Sequence, residues 1–240
     1  MTDTILLVGY IHKLAYKLAE CLKEDGFQII MAGKNCADET LSPFIELNLN
    51  DPADLQASVL QLPDFDSVII FPGWYGHGDF LDTTNLDWES ALTENFYHMV
   101  YVGQAIALAF IARKKPGKLL YMSSTMGIRP TVETIAQGTT FTMLESLVKT
   151  AAVDLAEHQI TVNLIAHGWV DLVSSTDPIF PRARPEIEQD VPLKRTGLPK
   201  DIASLIAFLM SQASVYITGA VIPVDGGALL TKSAFSSPYQ

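Results

Sequence analysis

The sequence is poor in cysteine, in basic residues and in long apolar runs, and each scarcity excludes a class of protein. It has two cysteines, Cys21 and Cys36, in 240 residues. They are too few and too far from any group of histidines to predict a zinc site, so we expect reduced thiols and no metal. Sixteen Lys and Arg stand against 27 Asp and Glu, which leaves a net charge of −11. That balance argues against nucleic acid as a partner, because such binding relies on clustered basic side chains.

No window of the sequence approaches the unbroken apolar length that a membrane span requires, about 18 residues or more. The N-terminal segment also lacks a basic stretch followed by an apolar run, which is the pattern of a secretory signal. We therefore expect a soluble cytoplasmic protein with no membrane partner.

The chain does have enough apolar sequence for a large core: 48% of its residues are hydrophobic and 18% are charged. Its length suits one α/β domain over residues 1–240, and no linker divides it. Short apolar runs alternate with segments of helical spacing, which predicts a doubly wound parallel sheet of seven strands. The predicted strands are 5–8, 27–31, 44–47, 68–71, 119–122, 160–165 and 221–224, and the main helices are 11–24, a helix opened by Asp51 and Pro52, 87–113, 137–157 and 200–210.

One stretch, Gly117 to Gly127, organises the predicted site. Its sequence GKLLYMSSTMG is a short apolar run that ends in a cluster of hydroxyl side chains, as a buried central strand does at a polar site. Ligands of open α/β sheets bind at the carboxyl ends of such strands. Residues 171–196 have no clean periodicity and predict an excursion over a binding cleft.

Three segments of the C-terminal third resemble, in order, the sixth strand, the late helix and the last strand of the short-chain dehydrogenase/reductase family. They read ITVNLIAHGWVD, PLKRTGLPKDIASLIAFLM and YITGAVIPVDGG, and the resemblance extends over essentially the whole chain. It implies a Rossmann-type sheet with an added strand. It also implies a homodimer or homotetramer that associates through the helices at 87–113 and 137–157.

The resemblance also identifies where a dinucleotide would bind. In the family a TGxxxGxG turn after the first strand lets the backbone approach the cofactor pyrophosphate at a helix N-terminus. Aligned without gaps, this chain keeps only Gly9 of that motif and places His12 and Lys13 in the turn. The two basic side chains offer charge to a phosphate on one interpretation. On the other, which we favour, the turn no longer binds a dinucleotide.

The residues at the other cofactor-binding positions also argue against dinucleotide binding. Gly33 stands where the family has an acid for the ribose of NAD, and Lys34 follows it. Asn48 takes the place of the Asp that contacts adenine, and Phe71 falls within the family's Asn-Asn-Ala-Gly position. We expect no cofactor to bind; if one does, the basic residue after the second strand favours NADP.

The resemblance implies a catalytic relay of Tyr, Lys, Ser and Asn, of which this chain keeps half. Ser124 matches the family's Ser and Asn95 its Asn, but Gln137 stands at the Tyr position and Phe141 at the Lys position. Gln is no acid near neutral pH, and Phe can neither bind a ribose nor shift the pKa of a neighbour. We therefore predict that the family's hydride transfer is lost.

Other residues are candidates for a replacement chemistry. His77 and His167 are possible general bases for Ser124, although for each histidine alone we favour an ordinary hydrogen-bonded or surface residue. A persistent small-molecule cleft would have aromatic and largely uncharged walls. Its candidate wall residues are Trp74, Tyr75, Tyr97 and Trp169.

Three functions remain open on these residues. The first is a cofactor-independent lyase, isomerase or cyclase that uses the old substrate cleft. The second is a non-catalytic binding or partner protein, a pseudoenzyme. The third is a residual NADP-dependent oxidoreductase whose acid/base has moved elsewhere. Loss of the cofactor motif together with the acid/base pair favours the first two.

Overall fold

The computed structural model describes residues 3–35, 44–172 and 187–231, and these form one seven-stranded sheet. Its order is β3-β2-β1-β4-β5-β6-β7, and all neighbouring strands are parallel. The α/β fold predicted from the sequence is confirmed. The strands are β1 Thr4–Ile11, β2 Gln28–Asn35, β3 Phe44–Glu46, β4 Ser67–Phe71, β5 Gly117–Ser124, β6 Ile160–His167 and β7 Val221–Val224.

Within the described residues the main helices are α1 Lys13–Glu24, α2 Pro52–Gln61, α3 Asn85–Leu92, α4 His98–Ala112, α5 Ile135–Asp154 and α6 Pro199–Met210. Helices α2, α4 and α5 pack on one face and α1 and α6 on the other. Right-handed crossovers between parallel strands require this two-sided arrangement. Because both faces are covered, the central strands carry continuous apolar runs, such as Ile5–Val8 in β1 and Val68–Phe71 in β4.

Helix α3 begins earlier than the sequence predicted. Asp87 was expected to cap a single long helix, but the cap is Thr84, whose Oγ1 accepts from the Asp87 amide at 3.2 Å. The Asp87 carboxylate accepts in return from the Thr84 amide at 2.9 Å. Asp87 is therefore the third helical residue of a capping box, because an acidic side chain at that position reaches back to the cap.

The apolar composition of the predicted 87–113 helix reflects packing. By length and composition residues 85–112 are long enough and apolar enough to cross a membrane, yet 56% of the 18-residue apolar window within them is buried inside the molecule. Val102, Ile106 and Phe110 lie in the core on one face of the sheet. A core helix of this kind needs no membrane to explain its hydropathy.

Apolar residues of the two helices predicted to form a subunit interface, 87–113 and 137–157, are part of this core. Ala107 and Phe110 on α4, and Leu144 on α5, are buried within the protomer. A Cβ added at Gly103 would collide with the hydroxyl of Tyr121, so this glycine lets α4 lie against β5. These residues therefore face the sheet, and association through the two helices stays a prediction that concerns their other faces.

Part of the predicted excursion at 171–196 is described, and residues 173–186 lie outside the described residues, as does Cys36. Ile187 and Val191 form a small cluster with Trp169. Cys21 carries a free thiol.

Candidate functional site

The first strand runs through the position where the family's glycine-rich turn is expected. It was predicted to end at Val8, but β1 pairs with β2 as far as Ile11 opposite Asn35, and α1 begins at Lys13. A single residue, His12, connects strand and helix. The backbone is therefore extended where a phosphate-binding turn would curl.

Gly9, the one glycine kept from the motif, has a packing role in this structure. Its φ is +106° and that of its register partner Gly33 is +124°, a region that favours glycine. A Cβ on Gly9 would lie 2.5 Å from the carbonyl oxygen of Phe71. The two glycines allow β1, β2 and β4 to approach closely at their carboxyl ends.

Aromatic side chains cover this edge of the sheet. The rings of Tyr10 and His12 are stacked with centroids 6.4 Å apart, and Tyr75 meets the His12 ring edge-on at 5.2 Å. His12 Nε2 donates to the carbonyl of Pro72 at 2.9 Å, which fixes the tautomer. Burial lowers the pKa of His12, so its ring is neutral at pH 7 and brings no positive charge to a phosphate.

The Tyr10 side chain also forms a buried pair with a second histidine, His98. Tyr10 Oη and His98 Nδ1, from β1 and α4, are 2.7 Å apart, and both residues are buried. Lys34 Nζ lies 5.3 Å from the Tyr10 ring centroid, within the range of a cation–π contact. Burial, and then the charge of Lys34, lower the pKa of His98. We call Tyr10, His12, Lys34, Tyr75 and His98 the strand-β1 cluster.

The remaining residues at cofactor positions have local contacts. Asn48 is exposed, and its Oδ1 accepts from the Asn50 amide at 3.1 Å in the turn before α2. Lys13 is half-buried as the first residue of α1.

Asn95 uses its whole amide to hold backbone. It is fully buried in a π-helical turn, Thr93–Tyr97, between α3 and α4. Its Oδ1 accepts from the amides of Gly73 at 3.1 Å and Trp74 at 2.8 Å. Its Nδ2 donates to the Trp74 carbonyl at 2.9 Å and to Thr140 Oγ1 at 3.4 Å. An amide offers four such bonds, so none remains for a substrate.

Ser124 lies at the end of β5 as expected and caps the turn that follows. Its Oγ accepts from the Met126 amide at 3.3 Å. Gln137 and Phe141 are 3% and 0% exposed on the inner face of α5. Phe141 meets the Tyr75 ring at 6.4 Å, so the position of the family's Lys is filled by an apolar ring that packs beside the strand-β1 cluster.

The two candidate bases are placed differently. His167 is the register partner of Ser124 on the neighbouring strand, and its Nδ1 donates to the Gly168 carbonyl at 2.8 Å. Burial lowers the pKa of His167, which keeps its ring neutral. His77 is exposed in the loop after β4. No hydrogen bond between Ser124 and His167 occurs in this described part of the chain.

The candidate wall residues do not converge on one cleft. Tyr75 belongs to the strand-β1 cluster, whereas Tyr97 is 47% exposed and stacks on Tyr101 with centroids 6.4 Å apart. Trp169 packs against the small cluster at residues 187–191. Trp74 is half-buried, and its backbone is held by Asn95.

The hollow shared by the turn after Ser124 and the segment at Gly168 is small, about 20 Å³. Arg129 spans this region and donates from Nη1 to the carbonyls of Leu229 at 3.3 Å and Thr231 at 2.8 Å. A volume of about 20 Å³ has room for a water and not for an organic molecule.

A much larger cleft, about 620 Å³, lies against α5 and the loops next to it. We call it the outer cleft. The sequence pattern does not predict this cleft. Its walls come from the threonine-rich segment 131–142 and from the end of the glycine-containing loop 72–80. It is lined by Asp79, Phe80, Met126, Pro130, Thr131, Val132, Glu133, Thr134, Ile135, Gly138, Thr139 and Thr142.

Comparison with known proteins agrees with the resemblance found in the sequence. Residues 9–228 match the family profile described as enoyl-(acyl carrier protein) reductase. The chain is 27% identical over 238 residues to the 3-oxoacyl-[acyl-carrier-protein] reductase FabG of Aquifex aeolicus, covering 92% of this chain and 95% of that one. It is 29% identical over 179 residues to the 2-dehydro-3-deoxy-D-gluconate 5-dehydrogenase of Escherichia coli, covering 74% and 71%.

Among solved structures, ElxO with NADP bound superposes with a TM-score of 0.82 at 19% identity, covering 96% of this chain and all (100%) of that one. At that identity the superposition concerns the fold. The profile match over nearly the whole length identifies the family: the chain belongs to the short-chain dehydrogenases/reductases.

Proposed function

We propose that this protein binds a small molecule without a nicotinamide dinucleotide and does not perform the hydride transfer of its oxidoreductase relatives. The observation that carries the proposal is the strand-β1 cluster. Extended backbone and stacked rings take the place of the turn in which the family receives the pyrophosphate. A dinucleotide would have to displace Tyr10 from its 2.7 Å contact with His98.

The replaced relay residues support the same proposal. Gln137 and Phe141 are buried against their own neighbours, so neither a phenolic acid nor an ammonium group stands at these positions. General acid catalysis requires a group that can release a proton near the working pH. The Ser124 hydroxyl alone can orient a carbonyl and does not protonate it, and Asn95 has no hydrogen bond left for a substrate.

A second candidate is a cofactor-independent lyase, isomerase or cyclase. The register pairing of Ser124 with His167 favours it, because a neutral histidine near a hydroxyl is the usual start of a base-activated nucleophile. The rival within the family is an NADP-dependent reductase with a relocated acid. The NADP bound in ElxO and the position of Lys34 near the carboxyl end of β2 are the reasons to include NADP in any test.

Calorimetric titration with NADPH, NADP⁺, NADH and NAD⁺ tests the proposal. We expect no heat of binding from the wild type. We also expect none from the Gln137→Tyr/Phe141→Lys variant, because the strand-β1 cluster still fills the site. Micromolar binding by the wild type, lost in Lys34→Ala, would contradict the proposal and favour the reductase.

Catalysis is separated from binding by turnover measurements on any ligand of the outer cleft or of the Ser124 region. The cofactor-independent candidate requires that Ser124→Ala, or one of His77→Ala and His167→Ala, lower turnover at unchanged affinity. Equal turnover in all three variants would remove these residues from the mechanism, and no turnover of any ligand by the wild type would leave the binding protein as the function. We further propose that the protein is soluble and cytoplasmic, in keeping with its acidic composition.

A further inference from the structure

We propose that a cleft at the amino-terminal edge of the sheet binds an uncharged heteroaromatic compound that carries a hydrogen-bond donor and an acceptor side by side. The cleft has a volume of about 620 Å³, within the roughly 300–1,000 Å³ of small-molecule pockets. We call it the amino-edge cleft. It is a second site, so this inference goes beyond the proposed function and does not depend on it.

The amino-edge cleft lies at the opposite end of the strands from Ser124. Gly117 and Ile160, the first residues of β5 and β6, line it, and so does Asp66 just before β4. Residues between 210 and 218, from the end of α6 toward β7, form another wall. The eight residues of β5 separate this edge from Ser124 by roughly 23 Å. A ligand here therefore leaves the family's site and the strand-β1 cluster undisturbed.

Lys118 connects β5 to the end of α6 and so holds two walls of the cleft together. Its Nζ donates to the Leu209 carbonyl at 3.3 Å, to the Ser211 carbonyl, and to Ser214 Oγ at 3.3 Å. An ammonium group has three protons, so these contacts occupy all of them. Lys118 therefore orders the cleft, which reduces the cost of binding, and has no proton left for an anion.

Lys115 is occupied in the same way at the loop before β5. Its Nζ lies 3.0 Å from Asp64 Oδ2 and 2.8 Å from Asp66 Oδ1, and it donates to the Phe65 carbonyl at 3.3 Å. Asp66 Oδ2 in turn accepts from the Thr4 amide at 2.8 Å. These charged side chains are held by one another and by the backbone, so they favour uncharged ligands over anions.

Neutral side chains supply the hydrogen bonds that a ligand can use. Thr161, Gln159 and Gln212 line the cleft, and their side chains form no hydrogen bond within the described part of the chain. A glutamine amide presents N–H donors beside a carbonyl acceptor. Such an amide pairs with a heteroaromatic edge through two hydrogen bonds, as it does with adenine in DNA. The matching ligand has a donor and an acceptor next to each other, as a lactam does.

Apolar side chains supply surface for the ring of the ligand. Tyr216 is completely exposed and Val215 is 57% exposed, and both line the cleft together with Met210 and Pro116. An exposed aromatic ring gains contact area by stacking on a flat ligand, and a thioether packs favourably beside a ring. The stacking surface and the amides together select a flat heteroaromatic lactam or a related compound.

Three probes of one scaffold test this class: 2-quinolinone, 1-methyl-2-quinolinone and quinoline-2-carboxylate. The first has an N–H beside its carbonyl, the second lacks that donor, and the third is an anion of similar size. We expect them to bind in that order in chemical-shift titrations of the full chain, with perturbed amides in residues 115–118, 159–161 and 210–218. Equal binding of the first two, tightest binding of the carboxylate, shifts that map elsewhere, or no binding by any probe would each overturn the inference.

The double variant Gln159→Asn/Gln212→Ala tests the amides. Asn adopts the left-handed conformation of residue 159, whose φ is +57°, so the change shortens the amide without backbone strain. We expect 2-quinolinone to bind about three- to tenfold more weakly, as loss of hydrogen bonds implies. Gln61→Ala, at an exposed glutamine of α2, is the matched control. Asp3→Asn removes a carboxylate of the cleft and should also leave binding unchanged. Unchanged binding in the double variant, or a large loss in Asp3→Asn, would contradict recognition by neutral groups.

Two further variants locate the site. Tyr216→Ala should weaken 2-quinolinone by about three- to tenfold through loss of stacking, whereas Phe80→Ala, which removes an exposed ring of the outer cleft, should not. Ala156→Trp fills the amino-edge cleft from an exposed position. We expect it to abolish binding while the thermal unfolding temperature stays close to that of the wild type. Binding that survives Ala156→Trp, or that is lost in Phe80→Ala, would place the ligand elsewhere and overturn the inference. Dinucleotide binding is decided separately by the calorimetric titration.

Discussion

At the scale of single residues, the two residues that match the family's catalytic site form hydrogen bonds that hold the backbone of nearby loops. Asn95 forms three hydrogen bonds with the loop after β4 and a fourth with α5, which uses all the donors and acceptors of its side chain. Ser124 caps the turn after β5. The sequence could predict that these residues persist, but it could not predict what they contact, because their partners are backbone groups of distant loops.

We predict that Asn95→Ala lowers the free energy of unfolding by about 3 kcal/mol, because several buried backbone groups lose their partner at once. Urea unfolding at neutral pH measures this loss. Asn48→Ala is the matched control, since Asn48 is exposed, and such a change is expected within about 0.5 kcal/mol. Equal stability of the two variants would contradict the role assigned to Asn95.

Three histidines make the stability of the fold depend on pH. Burial lowers the pKa of His12, His98 and His167 below the ordinary 6.5, so the folded state binds fewer protons than the unfolded state below about pH 7. Stability therefore rises with pH up to the unfolded pKa and is lost as the pH falls below it. Burial raises the pKa of Glu94 and Glu145 above 4.5, and these act in the opposite sense at lower pH.

Urea unfolding between about pH 6 and 7.5 isolates the histidine effect, and we expect the free energy of unfolding to decrease toward pH 6. Each histidine contributes at most about 1.4 kcal/mol per pH unit, the value for one proton. His98→Asn should reduce the slope whatever its effect on absolute stability. A flat wild-type profile would contradict the prediction.

At the scale of elements, the sequence predicted the order and type of the strands because their apolar runs are buried on both faces. The bounds failed where tertiary contacts extend or interrupt an element. β1 continues past Gly9 because Tyr10 and Ile11 alternate between the two cores. The π-helical turn at Thr93–Tyr97 inserts a residue into a helical pattern, and periodicity has no signal for it.

The close approach of β1, β2 and β4 predicts a large penalty for a side chain at Gly9. Gly9→Ala should lower the free energy of unfolding by about 3 kcal/mol or more, since strained φ and a backbone clash act together. Gly26→Ala is the control: its φ is +94°, but nothing lies within 4 Å of the added Cβ, so about 1–2 kcal/mol is expected. Equal losses would mean that strand packing does not require Gly9.

At the scale of the whole molecule, two helices expose apolar side chains in the described part of the chain. Leu108 on α4 is 45% exposed and Val153 on α5 is 76% exposed, and Tyr97 precedes α4 with 47% exposure. Both helices pack on the same face of the sheet. Apolar side chains in this arrangement are typical of a surface that a second copy covers.

We predict that the protein is a homodimer or homotetramer that associates through these outer faces, and that raising the salt concentration strengthens association. The reason is the net charge of −11 on each chain, whose mutual repulsion ions screen within about 10 Å at 0.1 M. Sedimentation velocity over a range of protein and salt concentrations measures both effects.

Leu108→Glu should shift the equilibrium toward monomer, because it places a like charge in the contact. Val215→Glu, at an exposed site beyond α6, should not shift it. A wild-type monomer at every concentration would contradict the prediction, because it would show that these helix faces do not form a subunit interface.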